Sequence, residues 1–219
     1  MVSTHPPHVK RRHGDRRAPM KPARARILDA AAQLMGTIGL ARATTKEIAR
    51  AAGCSEAALY KYFSGKEELF LRVLEERLPR LGPLLSELAE GPFDASAGRS
   101  VEDNLTEVVR QAALFYEATF PIGASLFAEP ALLRRHAEGV HALGAGPHRP
   151  LRALAAYLRA EREAGRVRAD TDADAVASLL LGACLQRAFL KAFPDGEQVT
   201  PLDEFAPALV RTALTGLNP

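Results

Sequence analysis

Apolar residues recur at helical spacing along most of the chain, and the first such segment spans roughly residues 23–38. One face of this segment carries apolar side chains at positions i, i+4, i+7 and i+11, which are Ile27, Ala31, Leu34 and Ile38. This spacing predicts an amphipathic helix. Gly39 follows where a glycine commonly ends a helix, so we expect the helix to stop there.

Three further helices are predicted by capping patterns close behind the first. Thr44 and Glu47 have the spacing of a capping box, and Gly53 suits the tight turn that ends the second helix. Ser55 is the predicted N-cap of a short third helix. A fourth helix follows, with its own predicted capping box at Ser64 and Glu67. Because proline interrupts helices, we expect a bend or break at Pro79 and Pro83.

The remaining periodic segments are also helical, and no stretch shows the alternation of a strand. They lie roughly at 101–119, 123–143, 150–164, 173–193 and 202–217, with loops at the sequences GAGPHRP and PDGEQVTP. The predicted fold is therefore all-α. It comprises a disordered basic arm (1–22), a three-helix helix-turn-helix domain (23–66) and a C-terminal helical bundle for ligand binding and dimerisation (67–219).

Charge divides the chain in the same way. Residues 1–66 hold 13 Lys and Arg against 4 Asp and Glu, a net charge of +9, whereas the remainder carries −6. A basic end favours a polyanionic partner, and an acidic remainder does not. The basic N-terminus lacks the apolar stretch of a secretory signal, and no apolar run approaches membrane-spanning length. We therefore expect a cytoplasmic protein without a membrane partner.

The sequence CSEAALYKYFSGKEELF contains the short third helix. On a helical wheel Leu59 and Phe63 face the core, whereas Lys61 and Ala57 face outward with Ala58 beside them. The flanks hold Tyr60 and Tyr62. Small alanines let a helix approach the floor of a major groove, and flanking phenols can bond to phosphates on its walls. Packing of both tyrosines against neighbouring helices is the alternative for each residue alone, but the caps, the glycine turn and the charge asymmetry together favour DNA.

Residues 24–74 closely resemble the DNA-binding domain of the TetR family of transcriptional regulators. The resemblance lies in the blocks TTKEIA-AAG and LYKYF-GKEEL. It implies a homodimer that reads double-stranded DNA with two helix pairs, a helical C-terminal domain and usually a small-molecule inducer. Together with the wheel and the caps, it predicts these DNA-binding residues: Thr45, Lys46, Ser55, Ala57, Ala58, Tyr60, Lys61, Tyr62 and Lys66.

The last two predicted helices are candidates for the dimer interface. The segment DADAVASLLLGACLQRAFLKAF is apolar nearly all round, so it must be covered on both faces. One face can serve the chain's own core and the other a second subunit, although a purely intramolecular bundle is the alternative. The predicted interface residues are Val176, Leu180, Ala183, Phe205, Leu209 and Ala213.

A ligand pocket is predicted from aromatic residues in the middle helices, with core packing as the alternative for each of them. These residues are Phe115, Tyr116, Phe120, Phe127 and Tyr157. No P-loop, GxSxG or HExxH motif occurs, so we predict no catalytic residue, metal site or cofactor. The sequence favours a homodimeric repressor that binds a palindromic operator and is released by a small molecule. A helical-bundle enzyme or small-molecule carrier with a vestigial basic domain is the alternative.

Overall fold

The computed structural model describes residues 21–77, 81–90, 99–193 and 199–216, and these residues form helices joined by turns, without a strand. This confirms the predicted all-α class. The basic arm predicted for residues 1–22 lies outside the described residues except for Lys21 and Pro22. In chain order, the helices are α1 (Ala23–Arg42), α2 (Thr45–Ala51), α3 (Glu56–Leu59), α4 (Lys66–Arg77), α5 (Leu81–Glu90), α6 (Val101–Phe127), α7 (Pro130–Ala142), α8 (His148–Glu163), α9 (Ala173–Lys191) and α10 (Leu202–Thr215).

Local caps start α2 and α3 as the sequence predicted. The Thr44 side chain accepts a hydrogen bond from the Glu47 amide, and the Glu47 carboxylate accepts one from the Thr44 amide. Ser55 caps α3 by accepting from the Ala58 amide at 3.2 Å. These bonds satisfy amides that the first turn of a helix leaves without an intrahelical partner.

The cap before α4 differs from the prediction. The Ser64 amide and hydroxyl both donate to the carboxylate of Glu68, each at 2.7 Å, rather than to Glu67. Glu67 instead lies under α7, where a β-carbon built on Gly139 would meet its Cγ at only 2.6 Å. Packing between α4 and α7 therefore decides which glutamate closes the cap.

The helix break predicted between residues 119 and 123 is wrong, whereas the division predicted near Pro79 and Pro83 agrees with separate helices α4 and α5. Helix α6 continues through Pro121 to Phe127, and the break comes just before Pro130, the first residue of α7. Ile122 and Leu126, which follow the internal proline, are buried in a core with α1 and α4, and this packing holds the helix together across it. The chain is also divided between α4 and α5. Pro79 lies outside the described residues there.

The buried side chains form two cores. The first combines α1 to α4 with the end of α6, and the second combines α5, α6 and α8 to α10. Leu69 and Val73 of α4 belong to the first core, which therefore extends beyond the predicted domain boundary at residue 66. Helix α6 contributes to both cores and so connects them directly.

Helix α9 is the one described helix that is long and apolar enough to cross a membrane by length and composition, which the sequence analysis did not expect. A helix in a protein core passes the same test. Here α9 packs against α6, α8 and α10, and its buried Arg187 forms an ion pair with Glu117 of α6 at 2.9 Å. We therefore treat α9 as a packed helix of the second core.

Candidate DNA-binding surface

Helices α2 and α3 place two tyrosines on the protein surface. The turn between the helices passes through Gly53, whose φ of +68° suits a glycine. Leu59 and Phe63 are buried, whereas Tyr60 and Tyr62 are 50% and 46% exposed. The inward and outward positions predicted by the helical wheel are confirmed, although α3 itself ends at Leu59 and the tyrosines lie in the turn after it.

The positions of α3 that face outward between the Ser55 cap and the first tyrosine hold small alanines, so the backbone of α3 can approach a partner closely. Ala57 is exposed and Ala58 is half-buried, while Lys61 points into solvent between the two tyrosines. A surface of methyl groups bordered by phenols and an ammonium group has the shape and chemistry to enter a major groove. Contact with DNA stays a prediction for each of these residues.

Thr45 is held by a neighbour that the sequence analysis did not select. Its hydroxyl donates to the carboxylate of Glu56 at 2.5 Å and lies 3.4 Å from the hydroxyl of Tyr60. Glu56 is eleven residues away on α3, so no local pattern predicts this contact. Thr45 can donate to a phosphate only if it releases Glu56, whose negative charge would itself repel the phosphate.

Residues 45–66 hold four lysine and arginine side chains, and these have different environments. Lys46, Arg50 and Lys61 are exposed, and the first two line one surface depression together with Thr44 and Glu47. Arg50 was not selected from the sequence because it belongs to no motif. Lys66 is half-buried and donates to the carbonyl of Ala41 at 3.3 Å. Burial lowers the pKa of its ammonium group, whose environment is therefore less polar than that of a surface lysine.

The five residues predicted to line a ligand pocket do not converge on one place. Tyr157 is buried, its hydroxyl accepts from the Asn104 amide nitrogen at 3.1 Å, and burial raises its pKa to about 12. Phe115 and Tyr116 contact each other beside the second core, with ring centroids 5.6 Å apart. The remaining two aromatic residues of the set lie toward the C-terminal half of α6, nearer the protein surface.

Phe120 and Phe127 have different surroundings from the other three. The ring of Phe120 packs against Phe189 of α9, with centroids 5.9 Å apart. Phe127 is 75% exposed at the end of α6, so including it among pocket-lining residues was wrong. It follows Leu126, which is buried in the first core, and the helical period turns the next side chain by about 100° toward solvent.

The predicted dimer residues lie on the inner side of α9 and α10. Leu180 is fully buried in the chain's own second core, so it cannot contact a partner and its assignment was wrong. The other five predicted residues are half-buried, and four of them pack against the same core: Val176, Phe205, Leu209 and Ala213. The fifth is Ala183. The outward side of α9 carries a different apolar set, comprising Leu179, Leu185, Phe189 and Leu190.

Comparison with known proteins agrees with this architecture. A sequence model described as bacterial regulatory proteins of the tetR family matches residues 27–73, the segment that supplies most of the first core. The predicted resemblance to the TetR family is confirmed over these residues. A curated relative is the uncharacterised HTH-type transcriptional regulator YvkB of Bacillus subtilis (strain 168), which is 40% identical over 68 residues. The match covers 31% of this chain and 36% of that relative.

Solved structures share the fold over nearly the whole chain. The fatty acid degradation regulator FadR of Bacillus halodurans has a TM-score of 0.61 at 20% identity, covering 90% of this chain and 97% of that one. FadR of Bacillus subtilis, solved in complex with stearoyl-CoA, has a TM-score of 0.59 at 16% identity and covers 89% and 99%. Sequence similarity is thus concentrated in the first core, while similarity of fold extends through the second.

Proposed function

We propose that this TetR-family protein is a cytoplasmic, homodimeric transcriptional repressor that binds a palindromic DNA operator and is released by a small-molecule ligand. The observation that carries the proposal is the surface of α2 and α3, where Tyr60 and Tyr62 are half exposed beside Lys46 and Lys61. Large aromatic residues kept on a basic surface, around exposed alanines, match the needs of phosphate and groove contact.

The outward face of α9 supports a dimer. Leu179 is 65% exposed, Leu185 and Phe189 are also exposed, and all three lie on one apolar helix that already covers the second core with its inner side. A continuous apolar patch of this kind marks a protein interface more often than bare surface. A two-fold dimer would present two copies of the α2–α3 surface to two half-sites.

Release by a ligand is supported by the way the cores are joined. Helix α6 belongs to both, so a molecule that displaces it within the second core would move the first core as well. The structurally similar FadR of Bacillus subtilis was solved with stearoyl-CoA bound. By that analogy, the second core is the place to seek a ligand in this protein.

Selection from random duplexes, followed by binding measurements on the selected site, tests the DNA-binding part of the proposal. Tyr62→Ala should weaken binding to the selected duplex by about 1–3 kcal/mol, because it removes one groove-edge contact. Phe127→Ala is the matched control, since it truncates an aromatic residue that is also exposed, at 75%, but lies on α6.

Two outcomes would contradict the proposal. Failure of the folded protein to enrich any duplex would remove its basis. Equal binding by Tyr62→Ala and by Phe127→Ala would show that the tyrosine surface is not the DNA-binding surface. Circular dichroism of both variants confirms that any loss of binding is not a loss of fold.

A further inference from the structure

The end of α1 approaches α6 more closely than any residue with a side chain would allow. Gly39 leaves the helical conformation with φ +80° and ψ 159°. A β-carbon built there would lie 2.6 Å from Oγ and 2.7 Å from Cβ of Ser125, a residue of α6. Both the backbone conformation and the available space therefore require glycine at this position.

Two hydrogen bonds hold the residue that follows this close approach. The Ala41 amide donates to the Ser125 hydroxyl at 3.2 Å, and that hydroxyl donates in turn to the Ile122 carbonyl of its own helix. The Ala41 carbonyl accepts from the Lys66 ammonium group at 3.3 Å. One peptide residue is thus bound on its N–H side by α6 and on its C=O side by the first residue of α4.

The clamped residue leads directly into the DNA-binding surface. The chain ends α1 at Arg42, and two residues later Thr44 caps α2 and Thr45 begins it. Over so short a connection, movement of Ala41 is passed to the start of α2, because the capping box makes the helix start rigid. Ser125 belongs to α6, which connects the two cores, and Lys66 is the first residue of α4 in the first core.

We infer that Ser125 and Lys66 are positioning residues that clamp Ala41 and so set the orientation of α2 toward DNA. The DNA-binding test of this inference rests on the proposed function, whereas its hydrogen-exchange test does not. It assigns Lys66 to the inside of the protein rather than to a phosphate. It also makes Ser125, which lies 84 positions from Ala41, a residue that controls DNA binding without touching DNA.

Hydrogen exchange of the free protein tests the clamp without DNA. Ser125→Ala and Lys66→Met should each speed exchange of the amides in residues 40–45 by about fivefold, the change expected from loss of one ordinary hydrogen bond. Thr119→Ala is the matched control, because it also removes a hydroxyl from α6, but that hydroxyl bonds only to the Phe115 carbonyl of the same helix.

Binding to the selected duplex provides the second readout. The clamp predicts a weaker affinity for both variants. The fold-loss of affinity in the double variant should be smaller than the product of the two single fold-losses. The salt dependence of Ser125→Ala should be unchanged. Unchanged exchange at residues 40–45 in Ser125→Ala would overturn the inference, whatever happens to DNA binding. A salt dependence reduced by about one phosphate in Lys66→Met, with normal exchange, would overturn it in favour of a phosphate contact. If no duplex is bound at all, the proposed function fails while the exchange result still decides the clamp.

Discussion

Two adjacent leucines of α9 separate the chain's own core from the proposed dimer interface. Leu179 is 65% exposed, whereas Leu180 is fully buried. We therefore predict that Leu179→Asp produces folded monomers and that Leu180→Asp unfolds the protein. The two variants introduce the same charge one residue apart, so their difference reports on the face of the helix alone.

The expected magnitudes follow from burial. Full burial of a leucine contributes about 2 kcal/mol, so Leu179, with roughly a third of its surface buried, loses about 0.7 kcal/mol within the monomer. If a dimer buries the remaining part in both subunits, association loses about 3 kcal/mol, or about a hundredfold in the dissociation constant. Leu180→Asp loses about 2–5 kcal/mol of packing and also buries an unpaired charge, which is comparable with the whole stability of a domain.

Analytical ultracentrifugation over a range of concentrations measures the dissociation constant, and circular dichroism measures helix content in the same samples. Leu143→Asp is the control, because Leu143 is 47% exposed but lies after α7, away from α9. A dimer that is unaffected by Leu179→Asp would place the interface elsewhere. A wild-type protein that stays monomeric at micromolar concentration would refute the proposed dimer.

Three further predictions concern other parts of the chain. Residues 1–20 carry five Lys and Arg against one Asp, so their deletion should flatten the salt dependence of DNA binding and leave the preferred duplex unchanged. A changed base preference would contradict a purely electrostatic role for this segment. Arg187→Met should destabilise the protein by about 2 kcal/mol in urea unfolding, because it removes the buried partner of the half-buried Glu117 carboxylate and the donor to the Thr200 carbonyl. Lys191→Met, which removes an exposed partner of the same carboxylate, should cost under about 1 kcal/mol. Burial raises the pKa of the Cys184 thiol to about 12, so this thiol stays protonated at pH 8. Iodoacetamide should therefore alkylate the half-buried Cys54 at least about tenfold faster than Cys184, as measured by peptide mass spectrometry. Equal rates would contradict the packing of α9.

The sequence by itself determined the features that depend on neighbours within a few residues. Thr44 and Glu47 lie three positions apart, so their side chains and amides meet in any helix that begins there. Tyr60 and Tyr62 lie between Leu59 and Phe63, and the exposure of all four side chains follows the helical wheel even though α3 ends at Leu59. The short helices of the first core were predictable for this reason, and the resemblance to the TetR family lies in the same segment.

Only the tertiary structure decided the contacts between residues far apart in the chain. The sequence of α9 is apolar on both sides, so its period could not show that Leu180 faces the core and Leu179 faces outward. From the sequence, Lys66 was predicted to contact a DNA phosphate. In the structure its ammonium group donates to the Ala41 carbonyl instead. The bond from Ala41 to Ser125 depends on how α1 crosses α6, because no local rule relates two residues separated by 84 positions.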